Sequence, residues 1–143
     1  MNAMAEQCRT KASSLKTAIN NLLFSEKMGL YCEGLGTLTP EEELNHSLPQ
    51  SNGKIYYKKH ANILATCFGI CEGERAQDIL RRVVHDDSLG GCQPYFMHFL
   101  FEAIYRNGLR KELTLKVLEQ WKKSASECGK GLQEGFILPE NYT

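Results

Sequence analysis

Between Tyr95 and Tyr105, nine of eleven residues are apolar or aromatic, and only His98 and Glu102 interrupt the run. Wound into a helix, such a segment presents an apolar surface on nearly every side and must be covered on more than one of them. It reads as an inner helix, spanning about 94–107, and the rest of the chain has to supply the layers around it. Pro94 suits its first turn and Gly108 its C-terminal cap.

The helical period also governs the other ordered stretches, and strand-like alternation is nowhere sustained. A first segment, about 5–25, places Cys8, Ala12, Leu15, Ile19 and Leu22 on one stripe with Lys11, Lys16 and Asn20 opposite, which predicts one buried face. A second, about 56–70, carries Tyr57, Ala61, Leu64, Ala65 and Phe68 on one side and Ile63 and Cys67 on another, so it too is apolar on two sides. A third, about 74–85, returns to a single stripe of Ala76, Ile79, Leu80 and Val83. A fifth, about 110–128, does the same with Leu113, Val117, Leu118, Trp121 and Ala125. One-sided and two-sided helices therefore alternate along the chain.

A shift of 38 residues superposes Tyr57 on Tyr95, His60 on His98, Ala65 on Ala103, Ile79 on Val117 and Leu80 on Leu118. This faint repeat makes the antiparallel αα-hairpin the building unit. The expected fold is all-α, a single helical domain over residues 1–143, with about five helices in hairpins stacked as part of an α/α toroid. An ordinary five-helix bundle is the simpler alternative. Residues 29–52, rich in glycine and with no period, are expected to form a long loop with at most one helical turn after Thr39-Pro40.

Composition removes several function classes. Lys plus Arg and Asp plus Glu both number 17, with no basic stripe, so a nucleic-acid partner is not expected. Lys58-Lys59 and Arg81-Arg82 read as solvated helix faces. No apolar run approaches the roughly 18–20 residues of a membrane span and no signal peptide opens the chain, so a cytoplasmic protein without a membrane partner is expected from the sequence as it stands. The six cysteines form no CxxC pair. Cys67 and Cys71, near His60, are read as buried thiols rather than ligands, Glu41-Glu42-Glu43 has no calcium-loop spacing, and neither a metal nor another cofactor is expected.

Four motifs in order carry a further expectation: Gly29-Leu30-Tyr31; Tyr57-Lys58-Lys59-His60-Ala61-Asn62-Ile63-Leu64-Ala65 running into Phe68-Gly69-Ile70; Gln93-Pro94-Tyr95-Phe96; and Leu132-Gln133-Glu134-Gly135. Together they resemble the C-terminal part of the catalytic domain of α-L-rhamnosidase-type glycoside hydrolases. The resemblance implies a six-hairpin α/α toroid and an inverting reaction between two carboxylic acids, with Glu134 in the place of the general base. The general acid of the family lies in an earlier segment with no counterpart here, and the chain stops before the histidine- and tryptophan-containing motif that follows the base loop. The isolated chain is therefore expected to be inactive, because an inverting reaction needs both carboxyls about 6.5–9.5 Å apart.

If the full domain is present, the resemblance implies a rhamnoside-like carbohydrate as ligand, with Tyr57, His60 and Tyr95 lining the sugar cleft near the starts of the inner helices. Asn62 matches the family motif and could equally cap a neighbouring loop, and His98 and Trp121 are expected to be structural. Five helices of a twelve-helix ring leave inner faces open, so self-association is also expected. The rival reading is a non-catalytic helical protein-interaction module.

Overall fold

The computed structural model describes residues 3–34, 55–89 and 92–127. Glu134, Cys128 and most of the 29–52 loop lie outside them. Among the described residues the protein is all-α: five α-helices, a single 3₁₀ turn and one two-stranded hairpin. They fall into two compact units, residues 1–57 and 58–143.

The first unit is built on α1 (Ala3–Leu23), followed directly by β1 (Phe24–Ser25) and β2 (Leu30–Tyr31). The strands pair antiparallel, Phe24 with Tyr31 and Ser25 with Leu30. Gly29 turns the chain between them in the left-handed region, at φ 62°. Tyr31 is buried, tilts against Phe24 at 5.0 Å and donates its hydroxyl to Asn20 Oδ1 across 2.6 Å. The expected loop therefore begins in a paired strand, held by local turn geometry that periodicity does not register.

The expected buried face of α1 is not found. No residue of the helix is buried, and Leu15 and Leu22 are 61% and 60% exposed. Along the helix Thr10, Ser14 and Asn20 each bond the carbonyl four residues back and Arg9 pairs with Glu6, while Asn20 also ties the helix end to Tyr31 of the hairpin. A hydrophobic period states which face a partner would cover, not that a partner is there.

The second unit consists of α2 (Lys59–Cys67), α3 (Gly73–His85), the 3₁₀ turn Pro94–Phe96 running into α4 (Met97–Arg106), and α5 (Arg110–Glu127). The α3 stripe is buried as expected, with Ala76, Ile79, Leu80, Val83 and also Val84 inside. In α5 Leu113 and Val117 are buried, and Trp121 is half-buried with its ring against Phe101 at 6.4 Å. Each such aliphatic side chain contributes roughly 1.5–3 kcal/mol on burial.

Cross-links fix the helix directions. At their C-terminal ends Asn107 Nδ2 donates to the Thr66 carbonyl at 3.3 Å and Arg106 Nη1 to that of Cys67 at 3.3 Å, while at the other end His60 of α2 meets Phe96 just before α4. Helices α2 and α4 thus run parallel. On the second layer, Gln77 reaches the Asn107 carbonyl ahead of α5, and Gln120 of α5 reaches the Val84 carbonyl at 2.9 Å, so α3 and α5 are parallel as well. Two antiparallel hairpins, α2-α3 and α4-α5, lie side by side in register.

Candidate inner-helix site

The site begins where α2 and α4 begin. Lys58 enters α2 in an extended conformation and Phe96 enters α4 in a helical one, and neither supplies a side-chain cap. Asn62, fully buried, turns its amide back to the Lys58 carbonyl at 2.9 Å. This bond ties the chain entering α2 to the first turn of its own helix.

His60 is half-buried, with its ring edge-on to Phe96 at 4.5 Å and Nε2 3.1 Å from Gln93 Oε1. An amide oxygen only accepts, so this contact requires the hydrogen on Nε2. Phe96 continues to Phe99 at 5.2 Å, and Phe99 to Phe68 at 6.0 Å and His98 at 5.6 Å. An aromatic row therefore follows the seam between the two parallel helices. Such a row offers apolar ring faces, with an imidazole and a carboxamide at one end as hydrogen-bonding groups.

Lys59, expected on a solvated face, is half-buried instead. Burial holds its ammonium below the ordinary lysine range, and the nearby Asp87, Cys92 and Asp86 oppose that shift without cancelling it. The lysine was legible only as a charge. What packs over it comes from the α3-α4 connection, where Asp86 is itself pulled below the usual carboxylate range by the Ser88 hydroxyl and amide and by Arg82.

The residues singled out from the sequence are placed as follows. His60 meets the Gln93–Phe96 segment, so two separate motifs converge. Tyr95 sits in the 3₁₀ turn beside them but is 74% exposed, and Tyr57 is half-buried at the last position of the first unit. His98, expected to be structural, is exposed on α4, whereas its repeat counterpart His60 is half-buried under Phe96. Glu134 lies outside the described residues.

Among the described residues no group of three His, Cys, Asp or Glu is placed to hold a metal, and no helix is long and apolar enough to cross a membrane. The five described cysteines are thiols, Cys8 exposed and Cys32, Cys67, Cys71 and Cys92 buried. A scan against protein-family models and searches of curated proteins and of solved structures found no match.

Proposed function

We propose that the chain is a fragment or truncated paralogue of an inverting glycoside hydrolase of the α-L-rhamnosidase type, with Glu134 in the place of the general base and the chain inactive alone. The observation that carries the reading is the meeting of His60 and Gln93, 3.1 Å apart, at the shared starting end of two parallel inner-type helices. Parallel inner helices in stacked hairpins are the arrangement a closed α/α toroid repeats, and its ligand cleft opens at one common end of the inner ring. An imidazole and a carboxamide there suit sugar hydroxyls, and Tyr95 and Phe96 suit the C–H face of a pyranose. Tyr57, His60 and Tyr95 take the role of sugar contacts in this reading, with L-rhamnose as the sugar.

The test is to titrate the chain with L-rhamnose while following the side-chain resonances of His60 and Gln93, and in parallel to incubate it with an aryl α-L-rhamnoside. Shifts in His60 that vanish in His60→Ala, with no aryl alcohol released, are expected. The reading is overturned by no response to L-rhamnose, and its inactivity clause by turnover that Glu134→Gln abolishes. A second reading, the non-catalytic interaction module, rests on the exposed residues of α4 and α5.

A further inference from the structure

Four side chains on α4 and the turn before it form one stripe: Tyr95, His98, Glu102 and Tyr105, spaced three, four and three residues apart. All lie toward solvent; Tyr105 is 65% exposed, and the Glu102 side chain, paired with Arg106 at 2.7 Å, is 38% exposed. Under the 38-residue repeat, His98 and Tyr105 correspond to His60 and Cys67 of α2, and there the same face is covered: Phe96 lies on His60, and Cys67 is buried beneath the end of α4. The outer layer repeats the contrast. Leu80 is fully buried, whereas its counterpart Leu118 is 46% exposed. Among the described residues, the second hairpin thus leaves exposed the edge that it covers on the first.

From this we infer that the α4-α5 edge is a two-fold interface at which two copies of the chain pack α4 against α4 in antiparallel orientation. The three-four-three spacing is the same read in either direction. Antiparallel pairing therefore sets Tyr95 opposite Tyr105 of the second copy and His98 opposite its Glu102, an imidazole facing a carboxylate twice over. An isologous interface requires this self-complementarity. Leu118 flanks the stripe and extends the apolar contact on both copies, and exposed tyrosines are residues that interfaces favour. With 17 basic and 17 acidic residues, no net charge keeps the copies apart.

Head-to-tail stacking, with α2 of one copy covering α4 of the next, is disfavoured by the same repeat. The aromatic side chains with which the second hairpin reaches its neighbour are Phe96 and Phe99. Lys58 and Ala61 stand in their places on α2, so α2 lacks the ring surfaces that would fill the stripe. One helix pair with a flanking leucine is a small interface, below the ~1,200 Å² of standard complexes, so a weak dimer is expected.

Sedimentation velocity across a range from about one to several hundred micromolar tests the inference, because a contact of this size dissociates within or near that range. A reversible monomer–dimer equilibrium is expected, weakened at least about tenfold by Tyr105→Glu or His98→Glu, roughly the loss of one central contact. Recovery in His98→Glu/Glu102→Lys, which exchanges the charges across the two-fold axis, is expected as well. Lys116→Ala, exposed on the far side of α5 from Leu118, should leave the equilibrium unchanged. Tyr105 and His98 are exposed and Glu102 is half-buried beside Arg106, so circular dichroism checks that each variant keeps the fold. A monomer at every concentration, an association indifferent to Tyr105→Glu, or open-ended polymers would each overturn the interface. Tyr95 belongs to both surfaces, so the variants above leave it in place, and a chain that ignores L-rhamnose but dimerises through this edge, or binds L-rhamnose as a monomer, separates the two proposals.

Discussion

The carboxamide of Asn107 joins the ends of the two parallel helices, donating to Thr66 of α2 at 3.3 Å and to Ala103 of its own helix at 2.8 Å. Its backbone carbonyl accepts in turn from Gln77 of α3 at 3.1 Å. One residue at the α4 C-terminus thus links three helices, and only an amide supplies the donor that two carbonyl oxygens require.

Asn107→Ala is expected to lower stability by about 1–2 kcal/mol, the usual consequence of leaving partly buried carbonyls short of a donor. Asn107→Asp is expected to be worse, since it removes the same donor and places a negative charge at the negative end of the helix dipole. Urea denaturation of the three proteins checks the order. Equal stability of Asp and Asn at this position would show that the link to Thr66 carries no weight.

Leu80 and Leu118 hold the same repeat position in opposite environments. Leu80→Ala should cost about 2–5 kcal/mol, as for other fully buried leucines, because the cavity cannot close. Leu118→Ala should cost under about 1 kcal/mol when measured on the monomer at low concentration. Comparable losses at both positions would mean that Leu118 is covered in the monomer.

These pairs also show how much could be read beforehand. The stripe of α3 was legible because hydrophobic period encodes which side is buried, and Leu113 and Val117 of α5 follow it, whereas Leu118 of the same α5 stripe and Tyr95 and Tyr105 at the ends of the inner helix lie exposed. The bare face of α1 was not, because a period holds no information about whether a partner exists. His60 and Gln93 stand in separate segments and nothing in the sequence paired them; their contact spans 33 residues, and no local rule reaches that far. Lys59 was misplaced for a related reason. The burial of a flexible amine depends on the connection that folds over it, and the residues around Asp86 and Cys92 carry no period to show where they go.

Gly108 ends α4 in the left-handed region at φ 74°, with its amide on the Tyr105 carbonyl at 3.1 Å and the next amide, of buried Leu109, on that of Ile104 at 3.0 Å. This double closure is the Schellman arrangement. A Cβ at Gly108 would meet nothing within 4 Å, so the effect of Gly108→Ala isolates the backbone term. A loss of roughly 1–2 kcal/mol is expected, with Gly108→Asn intermediate, since asparagine tolerates this conformation better than alanine. Thermal denaturation of the three proteins checks the ranking, and an alanine variant as stable as the parent would contradict the left-handed assignment.

Lys59 gives the chain a pH dependence whose sign follows from its burial. In the folded protein its ammonium is held below the ordinary value of 10.5, chiefly by desolvation. The unfolded chain therefore binds more protons between the folded value and 10.5, and in that window stability rises with pH. Below the window both states are charged and the penalty of burying the ammonium is present in full. Lys59→Met removes the charge while keeping most of the apolar stem, so it should be at least as stable as the parent near neutral pH. Its advantage should shrink as the pH approaches 10.5 and the parent lysine gives up its proton. Urea midpoints of both proteins along this series decide the matter. A gap that widens with pH would mean that attraction to Asp87 and Asp86, rather than desolvation, governs the lysine.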